Sequence, residues 1–152
     1  MGDGALVYFG YPRAYEDSPE RTVRAALALV ANIVGLDVLA ERLHVRIGIA
    51  TGLVVVGELV NAGAAREQTA LGETPNLAAR LQSIAAVDSI VIAESTHRLV
   101  ADAFDCQDLG STLLKGFEAP VRAWRVVAEH RSRHFGARSA PAHVGDGSVY
   151  YF

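Results

Sequence analysis

The sequence predicts an α+β sandwich, in which helices pack on a mainly antiparallel sheet. Two observations carry this prediction. Apolar residues recur at helical spacing in some segments and form short alternating or continuous runs in others, so helices and strands follow one another along the chain. Several neighbouring strands are also joined by too few residues for a crossover connection, which favours antiparallel pairing.

Strands are predicted where short apolar runs are bounded by glycine or polar residues. In the segment 44–50, apolar residues alternate with Arg46 and Gly48, so we expect a strand with one covered face. The segment 53–60 is more uniformly apolar, and we expect it to be more fully buried. The predicted strands are residues 5–9, 44–50, 53–60, 90–93 and 123–127.

Helices are predicted from periodicity and from start signals. Ser18 followed by Pro19 is typical of a helix start, and apolar residues then recur at helical spacing as far as Val34. A second helix is predicted to begin with Thr74 as N-cap and Pro75 at the first helical position. A short third helix is expected over 95–101, and a loop over 62–67.

Composition excludes several classes of protein. The 152 residues suit one domain with a sizeable core. A net charge of −3 without a long basic run argues against a nucleic-acid surface. The single cysteine, Cys106, cannot form an internal disulfide and fits a reducing compartment. No apolar run is long enough for a membrane span, and Met1 is followed at once by Gly-Asp-Gly rather than by a signal peptide. We therefore expect a cytoplasmic domain.

The chain changes character near its C-terminus. Residues 1–128 are predicted to form the domain, and residues 129–152, where arginines alternate with small residues, to form a linker or disordered tail. The tail ends in Gly-Asp-Gly-Ser-Val-Tyr-Tyr-Phe at 145–152, which echoes Gly-Asp-Gly-Ala-Leu-Val-Tyr-Phe at 2–9. Asp-Gly before apolar residues is also a common hairpin signal, so coincidence explains the echo at this stage.

The segment 71–81, Leu-Gly-Glu-Thr-Pro-Asn-Leu-Ala-Ala-Arg-Leu, is the most informative for function. Asn76 and Arg80 are four residues apart, so their side chains fall on one face of a helix and can converge on one anion. Helix N-termini are themselves favourable for phosphate. From the spacing alone, a solvated polar pair on an amphipathic helix is the more common explanation.

Several motifs in order along the chain resemble the class III nucleotidyl cyclase catalytic domain, over about residues 2–127. Gly-Asp-Gly followed by Tyr-Phe-Gly-Tyr-Pro is similar to the family's metal-aspartate hairpin. Similar to further family motifs are Val-Arg-Ile-Gly-Ile-Ala-Thr-Gly at 45–52, Gly-Glu-Thr-Pro-Asn-Leu-Ala-Ala-Arg at 72–80 and Leu-Lys-Gly at 114–116. The resemblance implies a ferredoxin-like sandwich, the nucleotide cyclase fold, here lacking the first strand and helices.

The resemblance also implies a chemistry. Two homologous domains of that family form a head-to-tail dimer, either a homodimer or a heterodimer of cyclase domains. The active site lies in the groove between them. The ribose 3′-hydroxyl of ATP attacks the α-phosphorus, which forms 3′,5′-cyclic AMP and releases pyrophosphate. Two Mg²⁺ or Mn²⁺ ions, held by two aspartates of one domain, assist this step.

Five residues carry the resemblance at the site. Asp3 matches the second metal aspartate, and Asn76 and Arg80 match the pair that binds the ribose and the transferring phosphate. Lys115, the only lysine of the chain, matches the residue that reaches the outer phosphates. Thr69 falls where the family selects the purine base, and a threonine there favours ATP.

One departure from the family pattern limits the expected activity. The strand that carries the first metal aspartate is not found, so two metal ions cannot be held in the family manner. We expect little or no activity from this chain as a homodimer, and a sheet that lacks a central strand and leaves an edge open. The alternative is a non-catalytic or regulatory domain that contributes Asn76 and Arg80 to a partner cyclase. A purely structural module is a third, more distant alternative.

Overall fold

The computed structural model describes residues 4–11, 13, 15–34, 37–38, 41–60, 66–130 and 147–151. The described helices are α1 (Ser18–Val34), α2 (Glu73–Ile84) and α3 (Glu94–Val100). The described strands are β1 (Leu6–Phe9), β2 (Asp37–Val38), β3 (Glu41–Arg42), β4 (Arg46–Gly52), β5 (Val55–Val60), β6 (Arg66–Leu71), β7 (Ser89–Ala93), β8 (Phe104–Thr112), β9 (Val121–Glu129) and β10 (Gly147–Tyr151).

Six of these strands form the main sheet, in the order β1-β10-β4-β7-β9-β8. Only the β4–β7 pair is parallel, and every other pair in this sheet is antiparallel. The strands β2 and β3 form one separate hairpin, and β5 and β6 form another. The predicted α+β class with a mainly antiparallel sheet is therefore confirmed. None of the described helices is both long and apolar enough to cross a membrane.

The central strands are buried on both faces. Alternate residues of β4 turn to opposite sides: Ile47 and Ile49 pack with α1, while Ala50 packs with α2. The single covered face predicted for this strand was therefore wrong, because a helix lies on each side of the sheet. The α1-side cluster consists of Val23, Ala26, Ile47, Ile49, Ile90, Ile92, Val100, Phe104 and Val126. The α2-side cluster consists of Ala50, Ala78, Leu81, Ala85, Val91, Ala93, Leu114 and Ala123.

The α2 side of the sheet is built from small residues, and this allows the helix to lie close. A Cβ atom added to Gly48 would collide with the backbone carbonyl of Ala78 and the backbone amide of Gln82. Only glycine fits at this crossing of β4 and α2. The close approach fixes the height of α2 above the sheet, and with it the position of the side chains on the helix's outer surface.

Five of the described strands were not predicted, namely β2, β3, β6, β8 and β10. The edge strand β8 has only its first residue, Phe104, fully buried, so it lacks the apolar pattern by which strands are recognised. Strand β6 extends into the segment 62–67 that was predicted as a loop. Residues 147–151 form β10, within the segment 129–152 predicted as a linker or tail, of which 131–146 lie outside the described residues.

Strand β10 also changes the expectation of a missing central strand. It lies between β1 and β4 and pairs antiparallel with both. The sheet is therefore continuous at this position. Strand β1 is the outermost strand, so among the described strands one edge remains open there.

Candidate functional site

The outer surface of α2 carries the two side chains that the sequence singles out. Asn76 and Arg80 are both exposed and lie one helical turn apart. Ala78 and Leu81, on the opposite side of the helix, are fully buried against the sheet. The amphipathic pattern therefore orients the helix so that the amide and the guanidinium face outward side by side.

The start of α2 differs from the prediction. The helix begins at Glu73 after Gly72, whose φ is 137°, and no side chain caps it. Thr74 lies inside the first turn, where its hydroxyl donates a 3.0 Å hydrogen bond to the carbonyl oxygen of Leu53. The prediction of Thr74 as N-cap and Pro75 at the first helical position was therefore wrong. Pro75 is tolerated at the third position because the N–H groups of the first turn have no intrahelical partner.

The Thr74 hydrogen bond ties the beginning of α2 to the end of β4. Gly52, the last residue of β4, lies so close that an added Cβ would stand 2.7 Å from the Thr74 hydroxyl oxygen. Thr74 is nearly buried, so its hydroxyl is shielded from competing water. This contact holds the first turn of the helix, and hence Asn76, against the sheet.

Lys115 lies on a turn that packs against α2. The backbone N–H of Phe117 donates a 3.0 Å hydrogen bond to the carbonyl of Leu114, and Gly116 has a φ of +91°. Glycine at this position is typical of a tight turn that needs a left-handed residue. Leu114 is buried in the α2-side cluster, while Lys115 is exposed. The turn therefore presents the lysine beside the helix that carries Asn76 and Arg80.

Thr69 lies on β6, opposite Gly57 of β5. Two residues further on, Leu71 pairs with Val55, and α2 begins at Glu73. The β5–β6 hairpin therefore leads directly into the first turn of α2. Asp3 lies outside the described residues, so the predicted metal ligand stays a prediction.

Four arginines of the described chain form ion pairs, whereas the two cations of the candidate site form none with the described residues. Arg24 lies between Glu20 and Glu129 at 2.9 and 2.6 Å, and Arg98 is paired with Glu94 at 2.7 Å. Within the described residues, neither the Arg80 guanidinium nor the Lys115 ammonium has an ion pair. Their charges are therefore not neutralised by those residues and can meet an anionic ligand.

The described residues contain no group of three histidine, cysteine, aspartate or glutamate side chains that could hold a metal ion. The described residues therefore do not by themselves provide a metal centre, and the role of Asp3, which lies outside them, stays a prediction.

Two histidines serve other parts of the fold. His44 approaches Asp88 at 2.8 Å, and the other carboxylate oxygen of Asp88 accepts a 3.0 Å hydrogen bond from the backbone N–H of Val45. These bonds lower the pKa of Asp88, the Val45 bond more than the His44 bond, and they fasten the start of β4. The ring of His97 stacks on Trp124 with 3.7 Å between centroids. Sequence reasoning had not paired either histidine with these residues.

Comparison with known proteins decides the family. Residues 1–128 match the family described as the adenylate and guanylate cyclase catalytic domain. The chain belongs to this family. Its members are nucleotide cyclases, a class of phosphorus–oxygen lyases, and the resemblance inferred from the sequence motifs is confirmed.

Relatives of the chain are much longer proteins. An uncharacterised protein of Rhizobium meliloti is 34% identical over 146 residues, which are 92% of this chain and 14% of the relative. The chain thus spans about a seventh of that relative's length.

Solved cyclase domains share the fold. The guanylate cyclase domain of RhGC from Catenaria anguillulae, solved in complex with GTP, superposes with a TM-score of 0.74 at 27% identity, covering 80% of this chain and 65% of that one. The adenylyl cyclase CyaB from P. aeruginosa gives a TM-score of 0.61 at 28% identity, and the match covers 83% of this chain and 68% of that one. Cyclases of both base specificities are therefore similar to this chain.

Proposed function

We propose that this domain takes part in converting ATP to 3′,5′-cyclic AMP and pyrophosphate, in a site shared with a second cyclase domain. The observation that carries the proposal is that Asn76 and Arg80 face outward from α2. In addition, Arg80 has no ion pair with the described residues. Membership of the cyclase family supports a nucleotide as the ligand of Asn76 and Arg80. The product fits a role in cyclic-nucleotide signalling in the cytoplasm.

The chemistry suits the residue types. An intramolecular attack on the α-phosphorus gathers negative charge on the transferring phosphate, and fixed donors stabilise that charge most where they need not reorganise. The planar guanidinium of Arg80 can bind two phosphate oxygens at once, and the amide of Asn76 can orient the ribose. Both sit on a helix whose first turn and middle are fixed by Thr74 and Gly48.

Lys115 and Thr69 would contact the two ends of the nucleotide. The ammonium of Lys115 is a compact charge on a flexible stem, which suits the outer phosphates. The Thr69 hydroxyl can accept a hydrogen bond from the adenine amino group, and the resemblance to adenylate cyclases with threonine at this position favours ATP over GTP. Its position on the hairpin that leads into α2 supports a place near the same ligand.

The second domain has to complete the metal centre. Mg²⁺ or Mn²⁺ neutralises the phosphates in such sites, and this chain offers Asp3 alone of the two aspartates used by the family. We therefore propose that homodimers of this 152-residue chain have little activity. The alternative is that the domain acts as a donor half, or as a regulatory partner, that lends Asn76 and Arg80 to an intact cyclase.

A mixing experiment tests both forms of the proposal. The chain is assayed with Mn²⁺ and either ATP or GTP, alone and mixed with a full-length homologue in which the arginine matching Arg80 is replaced by alanine. Restored cyclic AMP formation in the mixture supports a working donor half, and restored cyclic GMP formation instead would overturn the assignment of ATP. Pairing of the two proteins without restored activity would overturn the donor role.

A further inference from the structure

The first turn of α3 is bonded to the end of strand β4 through two hydroxyl groups. The hydroxyl of Ser95 donates a 2.8 Å hydrogen bond to the carbonyl oxygen of Thr51. The hydroxyl of Thr96 lies 3.0 Å from the hydroxyl of Thr51, and the two form a second hydrogen bond in the interior. Thr96 is fully buried and Thr51 nearly so, so water competes little for this bond. α3 therefore holds both the backbone and the side chain of Thr51.

These bonds take over where the pairing of β4 with β7 stops. On one side, β4 is paired with β10 as far as Gly52. On the other side, the last register pair with β7 is Ile49 with Ile92, and the chain of β7 then turns into α3. A backbone carbonyl at a strand end still requires a donor, and the Ser95 side chain supplies one for Thr51. On the β7 side, the end of β4 is thus fixed by side chains of α3.

The same end of β4 is held from the opposite face of the sheet by α2. Val100 of α3 belongs to the α1-side cluster and Ala78 of α2 to the α2-side cluster, so the two helices lie on opposite faces. On the α2 side, the Thr74 hydroxyl donates its hydrogen bond to the carbonyl of Leu53. Thr51 and Leu53 are two residues apart, and a short piece of backbone is therefore bonded to α3 from one face and to α2 from the other.

Leu53 takes its position from the strand end that precedes it. It lies beyond the last residue of β4, and it is 76% exposed, so core packing does not hold it. Its carbonyl group is placed by the backbone of Thr51 and Gly52, because rigid peptide planes leave few free rotations over two residues. A shift of Thr51 therefore moves the acceptor to which Thr74 is bonded.

We propose that Ser95 and Thr96 are positioning residues for Asn76 and Arg80, and that they act across the sheet through Thr51. The contacts run from the first turn of α3 through the end of β4 to the first turn of α2. Both hydroxyl residues lie on the face opposite α2, so they act on the helix only through the strand. The positioning role rests on the proposed function, which gives Asn76 and Arg80 their ligand, but the coupling of the two helices does not.

Hydrogen exchange in the full chain tests the coupling. Thr96→Val keeps the shape of the side chain and removes the bond to Thr51, whereas Thr96→Ser keeps the hydroxyl. Thr22→Val is the matched control, because Thr22 is equally buried and its hydroxyl bonds the carbonyl of Ser18 within α1. In Thr96→Val we expect the amides of residues 77–80, the first to be bonded within α2, to exchange at least about threefold faster. In Thr96→Ser and Thr22→Val they should exchange at the native rate.

A double substitution shows whether the effect passes through Thr74. If the α3 bonds act by placing the Leu53 carbonyl, Thr96→Val should add almost nothing to the exchange of α2 in a Thr74→Val background. Independent effects of the two substitutions, or native exchange of α2 in a folded Thr96→Val variant, would overturn the coupling. If Thr96→Val does not fold, Ser95→Ala takes its place with the same readings, since it removes only the bond of an exposed serine to the Thr51 carbonyl.

Kinetics test the positioning role. Each variant is assayed with Mn²⁺ and ATP in a mixture with the homologue whose arginine matching Arg80 is replaced by alanine. A displaced donor weakens transition-state stabilisation more than nucleotide binding, so we expect Thr96→Val to lower kcat about three- to tenfold and to change KM less than about twofold. Thr96→Ser should restore kcat, and Thr22→Val should leave both constants unchanged.

The outcomes separate this role from the proposed function itself. If Arg80→Ala lowers kcat in the mixture while Thr96→Val keeps the native kcat, the positioning role is overturned and the proposed function stands. If the mixture with the native chain forms no cyclic AMP, the donor role fails and the positioning role fails with it. Hydrogen exchange then decides the coupling of α3 to α2 by itself.

Discussion

Gly48 on β4 lies directly against the backbone carbonyl of Ala78 on α2, with no space for a side chain between them. The strand and the helix touch through their backbones, and this contact sets the height of α2 above the sheet. Arg80, two residues further along the helix on its outer side, is positioned by the same contact. A glycine in the core of the sheet thus determines the position of Arg80, a candidate hydrogen-bond donor to the phosphate.

Replacing Gly48 by alanine should destabilise the protein by at least about 2 kcal/mol, because the new methyl group meets backbone atoms that cannot move aside. Urea unfolding measures the loss. Gly110→Ala is a useful comparison, since nothing lies within 4 Å of its added Cβ and its cost comes only from a φ of +77°. Equal unfolding midpoints for Gly48→Ala and the native chain would contradict the close contact.

Removing the Thr74 hydroxyl should loosen the beginning of α2. In Thr74→Val, the shape is kept but the hydrogen bond to the Leu53 carbonyl is lost, and we expect a destabilisation of about 1–2 kcal/mol. Amide exchange in the first turn of α2 should also become faster. Thr74→Ser, which keeps the hydroxyl, serves as the control. The hydrogen bond would be unimportant if the valine and serine variants behaved alike.

The sequence was informative where local pattern and tertiary structure agree. The strands 44–50 and 90–93 and the long helix after Ser18 carry strong apolar patterns, and all three were predicted close to their observed bounds. The edge strand β8 carries almost no such pattern, because few of its side chains are buried. No local signal could place β10, since its pairing partners are about a hundred residues away in the chain.

The same distinction applies to the candidate site. The spacing of Asn76 and Arg80 was enough to place them on one side of a helix. The prediction of Thr74 as the N-cap was wrong because its hydroxyl donates a hydrogen bond to Leu53, 21 residues away, instead of capping the helix locally. Gly48 could have been recognised as a close-contact position, because glycine inside a strand indicates the approach of another backbone.

Arg80→Ala should lower cyclic AMP formation by about 100-fold or more in a pair reconstituted with a partner cyclase, because a fixed donor to the transferring phosphate is lost. Its unfolding temperature should hardly change, since the side chain is exposed and has no ion pair with the described residues. Arg98→Ala, which removes an exposed arginine paired with Glu94 on α3, is the matched control and should retain activity. Equal activity of both variants would argue against a role of Arg80 in catalysis.

The stability of the fold should depend on pH through His130. Its ring nitrogens lie 2.9 Å from the Asp102 carbonyl oxygen and 2.7 Å from an Asp105 carboxylate oxygen, and these acceptors raise its pKa, the carbonyl most. A raised pKa means that the folded state binds the proton more tightly. The stabilisation is therefore fully present below the unfolded pKa of about 6.5 and is lost as the pH rises through the higher folded pKa. We expect the unfolding midpoint in urea to exceed that of His130→Gln by more at pH 5.5 than at pH 8.5, and Asp105→Asn to reduce this difference. A gap between the native and His130→Gln midpoints that is constant with pH would show that the ring contributes only as a neutral hydrogen-bonding group.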